Sequence, residues 1–197
     1  MEYIKEVFAQ YDNQCIRVYQ AYHPMIAQEA VQLQTFGKHF NVNRMTWIKP
    51  SFLWMMYRSN WGTKKNQECI LALDIYQTMF QELLKKAVLT SPDSASGDIL
   101  KWRKTFGEAT VYCQWDPDKN INGNAINRAA IQIGLKGNSL KDFLNTGICR
   151  IEDITPQVRK WNEQRKNGKL KNFPTEKIYP ITDNEIRSRL HMKLYHQ

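Results

Sequence analysis

Polar and apolar positions alternate from Gln14 to Tyr22, with Ile16, Val18, Gln20 and Tyr22 on one face and Cys15, Arg17, Tyr19 and Ala21 on the other. A period of two predicts a strand. His23-Pro24 ends it, because the residue before a proline is held extended and proline suits a helix's first turn. Ile26, Ala30 and Leu33 then recur at helical spacing, and Gly37 stops that helix. Residues 45–48 read as a short extended piece, and Pro50 opens a central helix that Asn60 and Gly62 close. The nearly unbroken apolar run 69–75 predicts a central strand, and Met79, Phe80, Leu83 and Leu84 predict a helix over 76–88. Residues 90–97 have loop composition.

In the second half, Asp98 caps a helix to Phe106, and strands are predicted over 110–115, 129–135 and 148–154. Residues 116–124 read as a turn-rich connection and 139–145 as a short helix. Thr155-Pro156 starts a helix that runs to about Gly168, with Thr155 as its cap. The order of strands and helices lacks strict βαβ alternation. It predicts one α+β domain over residues 1–168, with a mixed, mostly antiparallel, curved sheet and flanking helices. A basic C-terminal extension, 169–197, packs on it and ends in a helical stretch over 183–194.

Charge adds a direction. The 197 residues carry a net charge of +9, yet residues 1–100 hold ten Lys/Arg against nine Asp/Glu, and residues 101–197 hold eighteen against ten. A basic second half points to a polyanion: nucleic acid (RNA or DNA), a nucleotide or an acidic surface. Arg159, Lys160, Arg165, Lys166, Lys169 and Lys171 form a basic run interleaved with Trp161, Phe173 and Tyr179. Phosphate tracking with base stacking is its functional expectation, and a solvated helix end is the plain one. Cys15, Cys69, Cys113 and Cys149 are spread singly without C-x-x-C spacing, so neither a zinc knuckle nor a redox pair is indicated, though an even number leaves disulfides open. The N-terminus is not of signal-peptide type, and no apolar run approaches the length of a membrane span. A reducing, cytoplasmic setting without a membrane partner is expected.

The candidate chemistry centres on residues 44–61, which hold three of the six tryptophans and three of the seven methionines. Phe52, Met55 and Met56 form a core face. Ser51, Trp54, Arg58 and Trp61 share another, where a guanidinium one turn from an indole can stack and still present its donor fork. With Tyr57 beside it and Lys49 at the helix mouth, that face suits an aromatic ring plus a phosphate; the plain alternative is an Arg58 paired at the core rim. Arg17 is either an anion-holding group in a cleft or an edge-strand residue with its head in water. Tyr22 or His23 would then hydrogen-bond a ribose. Asp118-x-Asn120-x-Asn122-Gly123 imitates half of an EF-hand, but Ala129 stands where the bidentate glutamate belongs. The four histidines lack paired spacing, so no metal site is expected, and phosphate-loop, dinucleotide-fold and nucleophile-elbow motifs are absent.

The segments 17–22, 44–59 with Trp61, 114–117 and 131–135 resemble a bacterial and fungal family catalogued as a conserved domain of unknown function. More distantly, the order of elements is similar to ADP-ribosyltransferase-like folds. The resemblance implies NAD as the cosubstrate, with Arg17 gripping it from the first strand. The segment from Ser51 to Trp61 stacks the nicotinamide, Lys49 or Arg58 holds the diphosphate, and Gln132 stands on a late strand where a catalytic glutamate is expected. A glutamine can hydrogen-bond a ribose but supplies neither charge nor base, so Glu68 or Glu108 would have to serve, or the chemistry would need no carboxylate. A nucleic-acid-binding protein without catalysis and a nucleotide sensor without turnover are the alternatives.

Overall fold

In a computed structural model of the chain, residues 3–92, 98–169 and 172–194 are described. In chain order the elements are β1 (Phe8–Ala9), β2 (Cys15–Tyr22), α1 (Pro24–Leu33), β3 (Thr46–Ile48), α2 (Phe52–Arg58) and β4 (Cys69–Tyr76). Then come α3 (Gln77–Lys86), β5 (Val88–Leu89), α4 (Ile99–Glu108), β6 (Val111–Lys119) and β7 (Ala125–Leu135). The remainder is α5 (Gly137–Asp142), a π-helical turn (Phe143–Gly147), β8 (Ile148–Asp153), α6 (Thr155–Lys166), β9 (Lys177–Ile178) and α7 (Asn184–Arg189). This is a single-domain α+β fold with mixed, mostly antiparallel, open sheets, as the pattern predicts.

One sheet runs β2-β4-β8, a second runs β3-β7-β6-β5 with only the β5–β6 pair parallel, and β1 pairs β9. The main core lies where inward faces of both larger sheets meet α1 and α3, through Val18, Leu71, Leu73, Phe80, Leu84, Ile131 and Ile133. A second core covers the opposite face of the first sheet, where Phe52, Met55, Met56 and Trp61 meet Ile70, Ala72 and Val158. The Phe52/Met55/Met56 face is therefore core, as its spacing predicts. Between the two larger sheets, β2 and β3 are joined by one bridge, with Tyr19 N–H donating to the Lys49 carbonyl at 2.8 Å. Past it the Gln20 side chain spans the gap, donating to Thr46 Oγ1 at 2.8 Å and to the Trp47 carbonyl at 3.0 Å.

Several predicted boundaries shift. The central helix is shorter than its motif: Ser51 caps it, and Asn60, Trp61 and Gly62 all have positive φ, which turns the chain out of the helix. Thr155 falls inside α6, whose N-cap is Ile154, and the Thr155 hydroxyl accepts from Ile70 N–H at 2.8 Å. The 116–124 connection shrinks to 120–124, because β6 continues through a bulge at Pro117 as far as Lys119. Asn120 supplies the turn, its Oδ1 accepting from the N–H groups of Asn122 and Asn124 at 3.0 Å each. Cys15 and Cys149 are joined by a disulfide that their spacing did not single out, and Cys69 and Cys113 are free. No helix among the described residues is long and apolar enough to cross a membrane.

Residues beyond Lys169 contribute to the fold. β9 pairs β1, Tyr179 is buried, and the buried Arg187 guanidinium pairs with Glu6. Glu176 anchors the start of α2, accepting from Phe52 N–H at 2.6 Å and from Arg128 Nη2 at 2.8 Å. Arg128 Nε also donates to Asp118, itself fully buried, at 2.6 Å. One guanidinium thus serves two carboxylates, and burial, with Asp118 nearby, pushes the Glu176 carboxyl up to about 7. An acid raised above its unfolded value retains its proton in the fold at pH values where the unfolded chain has lost it. Its contribution is therefore present at low pH and is lost as pH rises from about 4.5 to about 7. Wild-type stability relative to Glu176→Gln should fall across that window by roughly 2–3 kcal/mol, measured by urea unfolding at a series of pH values. A pH-independent difference would contradict the assignment.

Candidate functional site

The face of the second sheet turned away from the main core carries a polar strip, and the strand register builds it. Trp47 pairs with Gly134, which pairs with Tyr112; Gln132 pairs with Gln114, and Ala130 with Asp116. Strand alternation puts Trp47 and Lys49 on the same side of β3. Gly134 is small for a reason: a Cβ there would come within 2.9 Å of the Trp47 ring and of Met45 Sδ. The indole lies directly against the strand.

Asp116 sits in the strip as a clamped carboxylate. Its Oδ1 accepts from Gln114 Nε2 at 3.0 Å, and its Oδ2 accepts from Gln132 Nε2. Two neutral amides fix its orientation without neutralising its charge. The next outward residue of β6, Asp118, receives the Ser51 hydroxyl at 2.8 Å, which ties the start of α2 to the strip.

Lys49 feels the charges of both this carboxylate and Arg58. Its ammonium donates to the Trp47 carbonyl at 2.8 Å. Burial, and then the Arg58 charge, push the amine down to about 7, with Asp116 opposing the shift. Lys49 and Arg58 line a cleft of about 150 Å³ with Gln20, Tyr22, Trp47 and Gln67, where β2 and β3 part. That volume admits about one aromatic ring. Gln20 is buried, and its Oε1 has no hydrogen-bond partner among the described residues.

The predicted residues divide. Tyr22, Lys49 and Arg58 meet in the cleft, and Tyr22 OH shares a 2.8 Å hydrogen bond with Thr46 Oγ1. Gln132 joins through Asp116. Ser51 is buried beneath as cap and anchor, and Trp54 is half-buried one turn before Arg58. Arg17 does not join. It forms a two-pronged ion pair with Asp74 at 2.7 and 2.8 Å, lies 3.7 Å from Glu152, and lines a different cleft with Cys149 and Arg150. Its convergence with Gln132 is corrected: Arg17 is the paired cation of the first sheet, held charged by Asp74.

Trp61 and Tyr57 also leave the predicted ligand face. The left-handed turn after α2 drives Trp61 into the second core, and Tyr57 OH donates to the Ile121 carbonyl on the β6–β7 turn. Arg165 stacks over both rings, 5.0 Å from Trp61 and 5.8 Å from Tyr57. For the basic-aromatic run, only the expected stacking is corrected. Trp161 packs on Phe52, Phe173 on the second core, and Tyr179 is buried against Phe80, so these rings offer no open stacking ladder. Arg159, Lys160, Lys166 and Lys169 are exposed, and Lys171 lies outside the described residues.

Sequence reasoning missed Gln20, Trp47, Gln114 and Asp116. The available signal was the period-two series Gln114, Asp116, Asp118, obscured by Pro117 and the asparagine-rich turn. No curated protein matches the sequence. Residues 6–179, most of the chain, match the family described as "Domain of unknown function (DUF4291)", and the chain belongs to that family.

Proposed function

We propose that the protein is an NAD-utilising transferase of the ADP-ribosyltransferase type, with the parting of β2 and β3 as its nucleotide cleft. The observation that carries this is a single carboxylate, Asp116, clamped by Gln114 and Gln132 and in electrostatic range of the Lys49 amine at the cleft. It fills the gap left by a glutamine at position 132, which Glu68 and Glu108 do not: Glu68 accepts from Asn66 N–H, and Glu108 ends α4 exposed.

As substrate, NAD has what this site requires. A diphosphate offsets the repulsion between Lys49 and Arg58 and returns a full charge to Lys49. A ring fits the cleft beside Trp47. In the reaction, the bond from ribose C1′ to the nicotinamide nitrogen breaks, and its electron pair leaves with neutral nicotinamide. The Asp116 carboxylate faces the positive charge that develops on the ribosyl group. The acceptor's nucleophilic atom then bonds to C1′, and its proton passes to Asp116. Arg17 has no part in these steps.

Incubating purified protein with NAD and following free nicotinamide by chromatography tests the proposal. Release above the buffer rate, matched by free or transferred ADP-ribose, is expected. A rate equal to buffer, with RNA, DNA and protein each tried as acceptor, would remove the transferase.

A further inference from the structure

We propose that a basic groove along the β5 edge of the second sheet binds single-stranded nucleic acid, and that this is the acceptor. β5 pairs with β6 only over Tyr112 and Cys113, which leaves Gln114 and Trp115 on an open edge. Two clefts of about 490 and 510 Å³ adjoin there, sharing Leu89, Ser91 and His191. Each is more than three times the volume of the nucleotide cleft.

The lining is cationic. Lys5 is on one side, and Lys101 and the exposed Arg189 are on the other. Among the described residues no carboxylate pairs with these three. Among the described lining residues the acid is Asp98, which caps α4, accepting from Lys101 N–H at 2.9 Å. Exposed Arg103 and Lys104 extend the positive surface along that helix.

An aromatic surface lies among these charges. None of the residues of α4 is buried, and the helix is held to β5 by Trp102, whose Nε1 donates to the Leu89 carbonyl at 3.0 Å. The Trp102 ring lines the groove with Phe106 tilted behind it at 5.1 Å. Cations flanking a partly open indole fit phosphates and a stacked base, whereas an acidic peptide uses the cations and leaves the indole idle. Gln114, which donates to Asp116, also lines the groove. The order across the sheet is then nucleotide cleft, clamped carboxylate, acceptor groove. The acceptor role rests on the proposed transferase; the binding does not.

Fluorescence anisotropy with a labelled single-stranded RNA of about 20 nucleotides, at roughly 50 and 200 mM salt, tests the groove. Lys5→Gln/Lys101→Gln should weaken binding about tenfold and reduce the salt slope by about 1.4. Lys166→Gln/Lys169→Gln removes the same charge at the end of α6 and should stay within about twofold of wild type. An equal loss in both double variants overturns the groove as a site. Equal competition by an acidic peptide overturns nucleic acid as its occupant. RNA binding through Lys5 and Lys101 without nicotinamide release supports the groove and removes the acceptor role.

Discussion

Asp116→Asn should slow nicotinamide release by about 10²–10³-fold while leaving NAD affinity close to that of wild type. The substitution keeps the shape of the side chain. The Gln114 and Gln132 amides can each rotate to offer either an N–H or a carbonyl, so the new amide finds partners and the β6–β7 pairing persists. What disappears is the negative charge facing the ribosyl group as its bond to nicotinamide breaks. A carboxylate acting only on that developing charge lowers the rate and not the affinity. Single-turnover release and equilibrium binding, measured on the same preparation, separate the two quantities. Unchanged release in Asp116→Asn would take Asp116 out of the chemistry. Affinity and rate lost together would make it a ligand-binding or structural residue.

The fold was legible in the chain because its faces are written at the right periods. Ile16, Val18, Gln20 and Tyr22 alternate, Met79, Phe80, Leu83 and Leu84 repeat helically, and both sets face the main core or lie beside it. Boundaries were less legible where local signals compete. Pro117 and the asparagines read as one long loop, yet the β ladder continues past the proline through a bulge. Trp61 sits at the helical spacing of Arg58, but a left-handed turn at Asn60 cancels that spacing.

The site was half legible. Lys49 and Arg58 stood out as charges among aromatics, and they do share a cleft. Arg17 stood out for the same reason, yet its partner Asp74 is 57 residues away on β4, and one strand's alternation does not show what lies across the ladder. Asp116 was missed for the converse reason. Its meaning comes from Gln132, sixteen residues on, and only the hairpin register brings them together. The disulfide between Cys15 and Cys149 joins residues 134 apart, beyond any spacing rule.

Arg58→Ala should weaken NAD binding by about 10–100-fold, the loss expected for a charged donor to phosphate. Arg58 is exposed in the last turn of α2, so truncation leaves the core face of that helix in place. It also removes the positive neighbour that helps hold the Lys49 amine down near 7. In wild type the cleft loses positive charge as pH rises through about 7, so NAD affinity should fall across that range. In Arg58→Ala the weaker affinity should persist to higher pH, because Lys49 then keeps its proton longer. A change of affinity without a change of pH profile would mean that the two cations do not share a ligand.

Calorimetric titration of NAD into wild type and Arg58→Ala, in two buffers of different ionisation heat near pH 7, tests the nucleotide cleft most directly. Saturable binding to wild type with proton uptake, seen as a heat that depends on the buffer, is expected, together with much weaker binding to the variant. No heat with wild type, or equal affinity in the two proteins, would contradict it.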